Sequence, residues 1–418
     1  MKKRGEGSFV ISVFAMVGRS PFSSPHWTLL AFLLMLLVLA LPDPAWTFEK
    51  QGPSLYDDPL KQDILLGIDL LYDMKFDEAE ALFSRIASQR PESPAGYFYL
   101  AMVSWSRLAS GFWSSDVLAE YARRIDKTIE IARKCIESGK PGSYVYFYLG
   151  GALGFKGRFE LMQHKWIRSF DQAYQAIQAL EKCREMDPGN QDVLFGLGIY
   201  DYYTARLSGF LKFLTYLLLH KGDKEEGLKK LHIAAEKATY CNIEAKSMLV
   251  HIYLFLEEDF GKALPLTQEL AARYRNDPRH KFFEGVVYIR EGKDAAYRAV
   301  VEFLRRRALA ASSGALAAAW HKQALYLEAC YHLFRGQCSE ARAKLEAVLS
   351  KPDPLEDPAM IAWPLLKKAM SYDLEGNRER AVVFYNRILD MENGAGAQFL
   401  AEKYLHEPVQ KNDPFLGY

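Results

Sequence analysis

One spacing constrains this chain more than anything else in it: small and bulky apolar residues return in a fixed order roughly every 34 residues. From Leu60 the chain reads Leu66, Gly67 and Leu70, then Ala79, Phe83 and Ile86, then Pro91. Apolar residues three and four apart share one face of a helix, so the two clusters predict two amphipathic helices, A and B, folded back on each other. Gly67 and Ala79 let the helices approach, Phe83 fills the gap, and Pro91 stops helix B. The same order returns near the C-terminus. One unit carries Ala329, Ala341, Leu345 and Val348, and the next Ala369, Tyr372, Ala381, Tyr385 and Ile388. Their turns, Arg335-Gly336-Gln337 and Glu375-Gly376-Asn377, hold a glycine where the chain reverses. In the middle, Leu249, Tyr253, Ala263 and Leu270 mark a unit turning at Glu258-Asp259-Phe260-Gly261. Phe283, Gly285 and Tyr288 begin another, turning at Glu291-Gly292-Lys293. No run alternates with the period of a strand.

These offsets resemble the tetratricopeptide-repeat superfamily, and the resemblance covers about Leu60–Asn393. It implies an all-α, right-handed α-solenoid of about eight helical hairpins, and says little about activity, since this scaffold serves many partners. The expected organisation is a signal peptide or anchor at 1–47, a linker at 48–58, the solenoid at 59–393 and a capping tail at 394–418. The second to fourth units depart from the regular length. After Tyr97, Leu100, Ala101 and Ser104 comes extra sequence through Phe112-Trp113, then a long helix from Asp116. Leu149 and Gly150 open the third unit, and its Ala176, Leu180, Cys183 and Pro188 arrive late; Leu197 and Gly198 open the fourth, with Leu231 and Ala234 late again. All three insertions fall between helices A and B, so stacking is expected to bring them to one rim, where repeat proteins often carry function.

The third insertion is similar to a region of the fungal inclusion-clearance tetratricopeptide proteins and their animal, outer-membrane relatives. The residues are Phe195-Gly196-Leu197-Gly198-Ile199-Tyr200, Ser208-Gly209-Phe210-Leu211-Lys212-Phe213-Leu214 and Lys221-Gly222-Asp223-Lys224-Glu225-Glu226-Gly227-Leu228. The proline pair of that region is missing here. This resemblance implies association with membranes or lipid-rich bodies.

At the N-terminus, Lys2, Lys3 and Arg4 precede an uncharged apolar run at Trp27–Leu41. A helix needs ~20 apolar residues to span a bilayer, and this run is closer in length to a signal-peptide core. Ala45-Trp46-Thr47 offers small residues for cleavage. The alternatives are a cleaved signal, with translation starting at Met1 or at Met16, and an uncleaved anchor. Either predicts an exported chain, periplasmic or anchored in the inner membrane, with the solenoid outside the cytoplasm.

Charge then narrows the partners. Fifty-three Lys and Arg face 52 Asp and Glu; the first 47 residues hold four basic and two acidic ones, so the remainder is one unit negative. Nucleic acid, which selects a basic field, is not an expected partner. Cys135, Cys183, Cys241, Cys330 and Cys338 show no metal-ligand spacing and read as small core residues, with Cys330–Cys338 the one disulfide candidate. His164, His220, His232 and His251 form no metal-binding pair. The run Gly150–Gly157 lacks the Gly-Lys-Ser/Thr ending of a phosphate loop, so close helix packing is the expected role of its glycines. Arg305-Arg306-Arg307 ends a helix B, where cations favour the dipole. No cofactor or metal is expected, and no enzymatic constellation is present.

Binding is the remaining expectation. In tetratricopeptide domains the inner wall comes from helix A. Here that wall reads Phe98, Met102 and Trp105, then Tyr144 and Phe147 with Gly151 and Gly154, then Asp192, Phe195, Ile199 and Tyr202. It lacks the Lys and Asn of a carboxylate clamp, and an apolar wall must be covered by the chain itself or by an apolar partner. The other candidate is the inserted stretch 207–219, whose Phe210, Phe213, Leu214, Leu217 and Leu218 recur at helical spacing. It either plugs the groove, or lies in a membrane interface or meets a partner. The chain therefore reads as a protein-interaction scaffold at a membrane with an unidentified protein partner, or alternatively as a lipid-surface module.

Overall fold

The computed structural model describes residues 59–110, 114–139, 141–163, 165–206, 222–350 and 357–411; the segments 1–47 and 207–221 lie outside the described residues. Seventeen helices and no strand are found among the described residues. Sixteen of them pair into hairpins. The first is α1 (Lys61–Tyr72) with α2 (Phe76–Gln89), and the second α3 (Pro94–Ala109) with α4 (Ser115–Glu137). The third pairs α5 (Ser143–Met162) with α6 (Trp166–Met186), and the fourth α7 (Val193–Ala205) with α8 (Lys224–Lys237). The fifth is α9 (Asn242–Phe255) with α10 (Phe260–Arg273), and the sixth α11 (Pro278–Arg290) with α12 (Asp294–Leu309). The seventh pairs α13 (Gly314–Phe334) with α14 (Cys338–Leu349), and the eighth α15 (Ala359–Leu374) with α16 (Arg378–Leu389). The last helix, α17 (Ala397–His406), packs on the eighth hairpin.

The spacing read from the sequence is the spacing that packs. Ala79, Phe83 and Ile86 are buried, and so are Ala341, Leu345 and Val348, and Ala381, Tyr385 and Ile388. A side-chain carbon on Gly67 would sit 2.3 Å from the Phe83 ring, which is why no larger residue fits there. Each buried side chain of the size of Phe or Leu adds roughly 1.5–3 kcal/mol. Leu66, in α1, behaves otherwise and is 54% exposed.

Turns and caps set the hairpin boundaries. Gly292, Gly336 and Gly376 take left-handed φ values of 68°, 72° and 78° between their helices. Met74 stands at the same turn position with φ of 60°, and Glu258, in the longer turn of hairpin five, has φ of 52°, although neither is a glycine. Ser114, Asp223, Ser313 and Asn377 accept a hydrogen bond from a backbone N–H in the first turn of the helix that follows.

Units two and three are lengthened in their B helices, while residues 111–113 lie outside the described residues. The B helices α4 and α6 run 23 and 21 residues, against 14 in α2, α8 and α10. The glycines of 150–157 lie inside α5; a carbon on Gly150 would strike Leu180, so packing accounts for it. Cys330 and Cys338 are both buried free thiols, and burial pushes Cys330 up to about 11. Buried residues form two apolar cores, one across hairpins one to four and one from Tyr202 to Val409.

Candidate functional site

The inner-wall residues are divided between those two cores. Phe98, Met102 and Phe147 are buried in the first, and Trp105 and Tyr144 pack against it half-buried. Tyr202 is buried in the second, with Phe195 and Ile199 against it. Aromatic rings tie the lengthened hairpins together. Phe98 meets Tyr148 at 5.4 Å and Phe155 at 6.2 Å, while Trp105 meets Tyr121 and Phe155, each at 5.6 Å. The exposed guanidinium of Arg158 lies 5.3 Å over the Trp105 ring. Of the two glycines on this wall, Gly151 is shielded by Phe98, whereas nothing lies within 4 Å of a carbon placed on Gly154. The wall is therefore mostly covered by the chain's own side chains, and it opens around Gly154, Trp105 and Arg158. Asp192 plays a structural part, accepting from the backbone N–H groups of Thr239, Tyr240 and Cys241 ahead of α9.

The second candidate, Phe210, Phe213, Leu214, Leu217 and Leu218, lies outside the described residues. Its two flanks are described, and they touch. A carbon on Gly222 would meet Thr204 Oγ1 at 2.0 Å and the Asp201 carbonyl at 2.7 Å. Glu257, from the turn of hairpin five, ties both flanks: it accepts from Tyr202 at 2.6 Å, Arg206 at 3.2 Å and Lys224 at 2.9 Å. Burial raises its pKa, but hydrogen bonds from Tyr202 and Lys224 and the charges of Lys224 and Arg206 outweigh it, holding the carboxyl below its ordinary value. The chain leaves and re-enters hairpin four at one closed stem. Sequence reasoning missed Glu257, because its partners lie 33 to 55 residues before it, with no local pattern.

A third arrangement had no sequence signal. The C-terminal end of α1 meets the loop between hairpins five and six. Asp69 accepts from Arg273 and from the Tyr274 hydroxyl, each at 2.8 Å. Asp73 accepts from the Asn276 backbone at 3.1 Å and its side chain at 2.9 Å, and Tyr72 donates to Glu244. Arg307 extends the seam by donating to Asn276 at 2.9 Å and stacking on Trp320 at 4.8 Å. Arg305 pairs with Glu328 at 2.8 Å, so two of the three arginines ending α12 serve internal contacts. Behind the seam, burial pushes the imidazoles of His251 and His280 down to about 4. No group of three metal-ligating side chains occurs among the described residues, and none of their helices is long and apolar enough to cross a membrane.

No family model matches the chain, and no curated protein does. Among solved structures it is similar to the crystal structure of the P58(IPK) tetratricopeptide domain. The identity is 13% over 86% of this chain and 95% of that one, at a TM-score of 0.22. The class rests on the hairpins' own register: this is an all-α solenoid of tetratricopeptide-type hairpins. An architecture of that kind presents extended surfaces to protein partners.

Proposed function

We propose that this chain is a non-enzymatic protein-interaction scaffold, exported and held at a membrane through residues 1–47. The apolar run Trp27–Leu41 behind Lys2, Lys3 and Arg4 supports the membrane part. The observation that carries the interaction part is the shared position of three departures from regularity. Hairpins two and three are lengthened, and hairpin four opens at the closed stem, all between helices A and B. Antiparallel hairpins stacked in order bring those ends to one rim. Ile167, at the start of α6 on that rim, is 87% exposed.

Affinity purification of the chain extracted from membranes, with mass spectrometry of the co-purifying proteins, tests the scaffold reading. Replacing 207–221 by a short glycine linker across the stem should leave the solenoid folded and remove the rim partner. Full-length chain free in the cytosol would sink the export part. A second reading, a lipid-surface module, draws on the exposed Ile167 and the apolar composition of 207–219. It requires liposome binding that survives high salt and is lost with Ile167→Glu or with the excision.

A further inference from the structure

Where the turn of hairpin one reaches hairpins two, six and seven, the side chains leave a small, partly enclosed space of about 10 Å³. Met74, Pro278, Leu316 and Ala319 supply carbon to its lining, the Asp277–Arg279 ion pair lines it with its charges already engaged with each other, and Ser110, Trp320 and Gln323 supply further polar atoms. Those three residues are 7%, 1% and 7% exposed, so bulk water does not reach them. Ser110 Oγ, Trp320 Nε1 and Gln323 Oε1 have no hydrogen-bond partner among the described residues. The Trp320 ring face is taken by Arg307, which leaves the indole N–H to find its own acceptor.

We infer that one ordered water molecule occupies this space and joins hairpin two to hairpin seven beneath Met74. The volume fits a single water and nothing larger. The chemistry fits as well. Water accepts from the Trp320 N–H, donates to Gln323 Oε1, and exchanges a hydrogen bond with the Ser110 hydroxyl, which is the usual number for a buried water. Leaving three buried polar groups unpaired costs more than immobilising one water. The seam that links the early and late hairpins is thus a hydrated joint, with its register fixed by a molecule that no apolar contact could replace.

The test begins on the unaltered full-length chain. A magnetisation-transfer experiment reads contact between a long-lived water and the Trp320 indole N–H, assigned by its loss in Trp320→Phe. Transfer to that proton is expected, and a high-resolution crystal structure should place one water between the three side chains. No transfer together with an empty space would overturn the inference. A double-mutant cycle adds an independent reading. Since one water serves both residues, Ser110→Ala and Gln323→Leu together should cost less than the product of the two single effects, by about fivefold in the unfolding equilibrium constant. Strictly multiplicative effects would count against the bridge.

Discussion

Between hairpins seven and eight the contact is mostly carbon. Ala341, Leu345, Leu366 and Ala369 are fully buried, and ion pairs such as Arg342 with Glu375 lie at the margin. Between hairpin one and hairpins five and six the contact is mostly polar: Asp69 with Arg273 and Tyr274, Asp73 with Asn276, Tyr72 with Glu244. The first kind follows from burying apolar area between neighbours, so each hairpin depends only on the next. The second links residues about two hundred positions apart and couples the first hairpin to the middle of the stack. A chain with both should unfold with more cooperativity than a simple row of repeats.

The largest effect is expected in the carbon contact. Leu345→Ala removes a fully buried side chain and should cost about 2–5 kcal/mol in denaturant unfolding. Ala79→Leu, which adds volume where α1 and α2 touch, should cost about 1–3 kcal/mol. A loss below ~0.5 kcal/mol for either would break the register assigned to the hairpins.

Acid comes next, and it acts behind the seam. His251 and His280 have folded pKa values near 4 against an ordinary 6.5. Burial is the main cause for both; Asp277 opposes it at His280, from 3.8 Å away. Between pH 6.5 and 4 the unfolded chain therefore binds protons that the folded chain does not. Stability is complete above pH 6.5 and declines as the pH falls toward 4, by at most ~3 kcal/mol for each histidine. A thermal scan across that range checks it, and His280→Phe should flatten the decline. A midpoint independent of pH there would show that neither histidine is kept neutral by the fold.

The seam's hydrogen bonds are smaller contributions. Asp73→Ala leaves two Asn276 donors without an acceptor and should cost about 1–2 kcal/mol. Hydrogen exchange should then rise in α1 and α2 before it rises in hairpins seven and eight. Uniform acceleration along the chain would mean that the seam adds no separate unit.

Legibility in the sequence follows the same division. The offsets at Gly67, Ala79 and Phe83 and the turn glycines at 336 and 376 are local signals, because a helix period and a left-handed turn are written within a few residues. The lengthened hairpins were legible as late-arriving residues, and the long helix from Asp116 was expected; that the late arrival in hairpin three is a long helix α6 was not. The inner wall was legible as a set of positions, yet its coverage was not: Phe98 meets Phe155 through an insertion that the repeat pattern does not describe. Glu257 at the stem and Asp69 and Asp73 at the seam carry no local signal, since their partners come from other hairpins.

The turns between paired helices give the sharpest test. Met74 and Glu258 both carry left-handed φ where hairpins six, seven and eight use glycine. Glycine relieves about 1–2 kcal/mol of strain at such a position and gives back part of it through greater freedom in the unfolded chain. In Glu258→Gly the other loss is a partly exposed ion pair with Arg290 at 3.3 Å, worth little. The net change should be a stabilisation of about 0.5 kcal/mol. Met74→Gly receives the same backbone relief but removes the side chain that covers the polar space beneath the seam. There the lost cover should exceed the gain, and the thermal midpoint should fall. A rise for Glu258→Gly with a fall for Met74→Gly would locate the difference in the seam; a rise for both would mean that Met74 seals nothing, and that the seam rests on its hydrogen bonds alone.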